Sequence, residues 1–192
     1  MTGSSVGGLT AEPVWVGEVL DFWFRELTRE QWFRRDDQVD QTIRARFSAL
    51  HDSLAGQDLP PRAATARHAL AAVIVLDQFP RNMFRGTPRA FATDTQARAV
   101  AQAALEAGLD TPLTTCERLF LYLPLEHSED PEDQRLAVAL ISALGDPELT
   151  RYAIAHQTII DRFGRFPHRN AILGRPSTPE EIAFLKEPDS AF

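Results

Sequence analysis

The spacing of apolar residues constrains this chain more than anything else in it. Val16, Val19, Leu20, Trp23, Phe24 and Leu27 fall on one face of a helix, and the same 3.6-residue period recurs almost to the end of the sequence. Period-two alternation and turn-bounded β-rich runs are missing. A second helix is expected from about Asp36 to Leu54, and a third from Pro61 to Phe79. Helix starts follow from capping patterns. Thr93 with Gln96, Thr114 with Glu117 and Thr178 with Glu181 have capping-box spacing. Asp130-Pro131 and Asp146-Pro147 pair an N-cap acid with a first-turn proline. The predicted fold is all-α: one domain over residues 13–192 with about eight or nine antiparallel helices joined by short turns, behind a flexible N-terminus of residues 1–12.

At 192 residues one sizeable core is accessible. The longest apolar run, "ALAAVIVL" from Ala69 to Leu76, is too short to span a bilayer, and the N-terminus lacks the pattern of a signal peptide. Net charge is −7, which argues against general affinity for nucleic acid or for anionic membranes. Cys116 is the single cysteine, so no internal disulfide is available. A cytoplasmic location is the simple expectation. Oligomeric state is not legible.

Two segments repeat one another. "LDQFPRNMFRGT" and "DRFGRFPHRNAILGR" both carry Phe-Pro, then Arg-Asn, then glycine beside arginine. The second holds Arg162, Arg165, Arg169, Arg175 and His168 against one acid, a positive island in an acidic chain. Guanidinium groups bind carboxylate or phosphate through paired hydrogen bonds, and asparagine orients a neighbouring oxygen. Gly86, Gly164 and Gly174 offer positive φ or close backbone approach. Proline after phenylalanine is expected to stop the preceding helix in each copy.

Polar residues also stand where core residues belong. Asp77 continues the stripe Ala66, Leu70, Val73. His127 continues Cys116, Leu119, Phe120, Leu123, although Pro124 threatens to kink or end that helix. His156 lies on the stripe of the helix after Asp146, where a satisfied core histidine is the favoured reading. An ionised carboxylate on an apolar face needs a partner, and arginine is the natural one.

Zinc, di-iron, Walker-loop, dinucleotide and nucleophile-elbow motifs are missing, so no metal and no cofactor is expected. Acid–base chemistry needs only positioned groups, and His127, His168, Asp77 and Glu126 are the candidates. Arg81, Asn82, Arg85, Arg165, Arg169, Asn170 and Arg175 are the candidate ligand-binding residues. The bland reading is that these arginines tether helix ends and pair with Asp77, Asp94, Asp161 and Glu126.

The segments "VLDFWF", "LDQFPRNMFRGTPRAFATD", "ERLFLYLPLEHSEDPEDQ" and "IIDRFGRFPHRNAILGRPSTPEE" resemble a bacterial family catalogued as domain of unknown function 924. The resemblance runs from about Val14 to the last helix. It implies an all-helical, tetratricopeptide-like superhelical fold and no particular reaction. Two functions are therefore in play: a pocket for a small anionic carboxylate or phosphate, with or without acid–base chemistry, and a tetratricopeptide-like module that grips a peptide carboxylate in a groove. The polar signal concentrates in three segments, which favours the pocket. The two Phe-Pro-Arg-Asn segments are expected to meet in space with "LEHSED" beside them, with Asp77 pairing to an arginine of the other segment.

Overall fold

A computed structural model describes residues 12–57, 65–188 and 190. The expected N-terminal lead-in falls almost wholly outside these residues, as does the start proposed for the third helix at Pro61. Nine helices and no strand are found among the described residues. Helix α1 (Val14–Asp21) runs on into a π turn at Phe22–Glu26. Then come α2 (Arg29–Phe33) and α3 (Asp37–Ala55). Helix α4 is α-helical over Ala66–Val73, π over Ile74–Gln78 and α-helical again over Phe79–Met83. Helices α5 (Asp94–Glu106), α6 (Thr115–Glu126), α7 (Pro131–Ser142), α8 (Pro147–Phe163) and α9 (Pro179–Phe184) complete the array. The fold is all-α and fits a single domain. No described helix is long and apolar enough to cross a membrane.

Helix α4 is the axis of the core. Every residue from Ala69 to Pro80 is buried, because α1, α3, α5 and α6 pack around it. A helix enclosed on all sides must be apolar all round, and "ALAAVIVL" meets that demand. Phe79 packs on Trp23, Phe22 and Phe47 at ring separations of 5.8, 6.1 and 4.8 Å. Phe120 of α6 meets Trp23 edge-on at 5.4 Å. This enclosure of one helix is the arrangement of a bundle and does not by itself establish a tetratricopeptide-like superhelix.

The helix does not stop at Phe79-Pro80, contrary to expectation. Proline brings no N–H for the carbonyl one turn back, and the wider π turn lets the helix continue through it to Met83. Thr93 Oγ1 donates to the Leu76 carbonyl at 2.5 Å. That task takes Thr93 away from the expected capping box, and its side chain caps nothing. The boxes at Thr114 and Thr178, and the N-caps Asp130 and Asp146, form as expected. Pro124 likewise sits inside α6 without ending it. In the second copy the helix does end early. Gly164 caps α8 with φ of +67°, three residues ahead of Pro167.

Thr93→Val keeps the volume and removes the donor to a buried carbonyl. It is expected to lower stability by about 1–3 kcal/mol, read as a lower urea midpoint at unchanged slope. An unchanged midpoint would mean that the hydroxyl contributes nothing to the π turn.

Candidate functional site

Within the buried run of α4, Asp77 is the only ionisable residue and has no exposed surface. Three donors reach its carboxylate. Gln78 Nε2 donates at 2.6 Å, His127 Nδ1 lies 2.9 and 3.0 Å from the two oxygens, and Arg81 Nη1 stands at 3.1 Å. Burial alone would raise its pKa. Arg81 and then His127 outweigh that and hold Asp77 well below the usual carboxylate range. Asp77 was expected to pair with an arginine of the other segment. Instead its partner is Arg81 of its own segment, one helical turn on, because the helix continues past Pro80 and sets the two side chains on one face.

The two arginine segments nevertheless meet, through Asp94. Arg81 grips Asp94 with two parallel hydrogen bonds of 2.8 and 3.0 Å, and Arg169 Nη1 reaches the same carboxylate at 3.3 Å. Asp94 is the first residue of α5, where a negative charge suits the helix terminus. Arg169 Nη2 donates to the His127 carbonyl at 3.0 Å, and its guanidinium lies over Phe91 and Phe166 at 4.8 and 4.6 Å. Only 7% of Arg169 is exposed, and its Nε has no hydrogen-bond partner. Burial first, and Arg81 second, push its pKa down to about 10.

His127 is the residue at which α6 ends. A carboxylate can only accept, so the His127 Nδ1 carries the proton shared with Asp77, and Nε2 carries the lone pair. Burial lowers the His127 pKa against the pull of Asp77, with Arg81 and Arg169 lowering it further, so the imidazole is neutral at pH 7. His127 and Arg169 line a cleft of about 310 Å³, together with Phe91, Asp94, Arg98 and Ser128. A histidine held in one tautomer by a buried carboxylate at the edge of a cleft can take or give a proton there.

Several other candidates lie away from this cluster. Asn82 and Arg85 both bind Asp40 of α3, with Asn82 Nδ2 at 2.8 Å and Arg85 Nε at 2.5 Å. Arg165 pairs with Glu181, which holds that carboxyl down at about 2. Arg175 grips Glu129 at 2.7 and 2.9 Å and donates to Asn170 Oδ1 at 3.0 Å, while Asn170 Nδ2 donates to Ser177. The His168 ring lies tilted against Phe166 at 5.6 Å, and burial followed by Arg169 lowers its pKa to about 4. Asp161 is exposed. Arg98, Phe91 and Ser128 line the cleft without having been singled out as binding residues. Only Ser128 carried a signal, its place beside His127.

Glu126 faces elsewhere. Its carboxyl is 5% exposed and stands 3.1 Å from His156 Nδ1, whose proton goes to the Tyr152 carbonyl at 2.9 Å. Burial, and then the charge of Asp77, raise Glu126 to about 8. Burial brings His156 down to about 3. A carboxyl raised from 4.5 to about 8 binds more protons folded than unfolded between those values. It therefore makes stability fall as pH rises through that window. Glu126→Gln removes this slope. Its stability relative to the parent chain should rise from pH 4.5 to 8, measured by denaturant unfolding at a series of pH values. A constant difference would contradict a protonated Glu126.

Among curated proteins, no sequence matches the chain. A solved structure of a protein of unknown function from Agrobacterium tumefaciens is similar, with 39% identity, a TM-score of 0.84, and coverage of 89% of this chain and 96% of that one. A family model described as a bacterial protein of unknown function, DUF924, matches residues 19–189. A match over nearly the whole chain, with the four quoted segments inside or overlapping it, places this protein in the DUF924 family.

Proposed function

We propose that the cleft beside His127 binds a small anion, a carboxylate or phosphate, with His127 as the group that exchanges a proton with it. One observation carries this reading. The cleft is lined by two guanidinium groups, Arg98 and the nearly buried Arg169, beside the ring of His127. Guanidinium groups converging on one concavity suit an oxyanion, which accepts from each of them.

Asp77 and Asp94 offset Arg81 and Arg169, Arg175 offsets Glu129, and Arg98 faces both Asp130 and Asp133, so an entering anion has to bring a proton with it. An anion entering next to His127 favours the imidazolium. Binding would then draw a proton onto Nε2 while Asp77 holds the other nitrogen. The proton offsets the entering charge, so binding leaves the net charge of the site unchanged. This is the arrangement of an acid–base group tuned by its ligand. Asp94, Arg98, His127 and Arg169 come from different stretches of chain and line one cleft of about 310 Å³, which supports a pocket over a peptide-binding groove.

Inorganic phosphate and succinate, at matched ionic strength against chloride, should raise the melting temperature in a concentration-dependent way. Arg169→Gln and Arg98→Gln should weaken the effect, and Arg85→Gln, whose side chain serves Asp40, should not. No stabilisation of the parent chain by either anion, or an equal effect in Arg169→Gln and Arg98→Gln, would remove the basis of this reading.

A further inference from the structure

A second cavity, of about 440 Å³, opens between α2, α6 and α8 and shares no lining residue with the cleft at His127. Its walls are apolar: Phe33, Leu119, Leu123, Leu149 and Ala155. Phe33 and Tyr152 stand 55% and 41% exposed at this cavity. Large apolar side chains gathered around one concavity mark a binding surface more often than scattered ones do.

The charges at its mouth cancel. Arg29 pairs with Asp146 at 3.2 Å. Arg151 lies over the Tyr152 ring at 4.6 Å, with Glu148 on the same helix and also lining the cavity. Inside, the situation differs. Glu126 is buried, and among the described residues the one side chain within ion-pair distance of it is His156, whose Nδ1 proton already serves the Tyr152 carbonyl. Gln134 binds the Glu126 backbone carbonyl and leaves the carboxyl alone. The charge that acts on it is the negative one of Asp77, which raises its pKa further. A carboxyl in apolar walls with no cation is expensive to ionise and gains nothing from packing that leucine or glutamine would not supply.

We propose that this cavity is a binding site for an organic amine, its ammonium group on the Glu126 carboxylate and its aryl or short alkyl body against Leu119, Leu123, Phe33 and Tyr152. The site is separate from the anion cleft and does not depend on it. In the empty cavity Glu126 holds a proton at neutral pH. An arriving ammonium favours the carboxylate. The O–H bond of Glu126 then breaks, the proton leaves to solvent, and the ammonium–carboxylate pair forms. One positive charge enters and one proton departs, so the buried charge stays balanced.

The test uses the full chain with phenethylamine, phenylacetate and 2-phenylethanol as probes of one body and three head groups. Calorimetric titration at pH 7 should show phenethylamine binding with release of about one proton, seen as unequal heats in two buffers of different ionisation enthalpy. Glu126→Gln should weaken the amine by at least about tenfold and leave 2-phenylethanol unchanged. Leu149→Trp, which fills the cavity from α8 and leaves Glu126 of α6 in the chain, should abolish amine binding should Glu126→Gln fail to fold. Phosphate stabilisation should persist in both variants, which separates this site from the first. Equal binding of all three probes, preference for phenylacetate, retained amine affinity in Glu126→Gln or in Leu149→Trp, or no binding of phenethylamine would each overturn the proposal.

Discussion

A carboxylate with no exposed surface has to find its partners inside the protein, and Asp77 finds a counter-charge and a neutral hydrogen-bond donor on two helices at once. Arg81 comes from its own helix and His127 from the end of α6. Arg81 then reaches Asp94, and Asp94 holds Arg169. Five residues from four stretches of chain are thereby fixed relative to one buried charge. Removing Arg81 takes the one full counter-charge from buried Asp77 and the two-bond partner from Asp94, which costs several kcal/mol rather than the fraction typical of a surface pair. The network therefore sets the relative placement of α4, α5, α6 and the turn after α8. The cleft is the space left where those elements meet.

The backbone contributes as much as the charges do. Pro80 and Pro124 both lie within helices that continue past them. The π turn of α4 spans Asp77, and a widened turn of this kind often accompanies a functional position. It carries the chain past Pro80, so that Arg81 sits one turn after Asp77 and folds back on it. Thr93, just before α5, ties that turn to Phe91 on one side and to Asp94 at the start of α5 on the other. Backbone repair and charge pairing thus converge on the same few residues.

The sequence showed the outline of this site and little of its wiring. Helical phase alone put Asp77 and His127 on apolar faces, and both are where that phase places them, because burial is a property of the stripe and survives a proline or a π turn. The echo of Phe-Pro-Arg-Asn correctly brought two segments together. Partner choice was not legible. Arginine reaches far beyond its own Cα, so which acid it meets depends on the fold, and Asp40, Glu129 and Glu181 claim Arg85, Arg175 and Arg165 from distant positions. The Thr93 box failed because local spacing cannot reveal that a carbonyl elsewhere needs a donor. Glu126 and His127 are adjacent in sequence yet serve different cavities, since consecutive residues at a helix end point in directions about 100° apart.

Buried Asp77 fixes His127 as a neutral imidazole protonated at Nδ1, and nitrogen-15 chemical shifts of the ring across a pH titration read that state. The expected spectrum shows a protonated Nδ1 and an unprotonated Nε2 at pH 7, a ring that stays neutral to below the ordinary histidine value of 6.5, and loss of the tautomer preference in Asp77→Asn. An Nε2-protonated ring, or an imidazolium at pH 7 in the ligand-free chain, would contradict it.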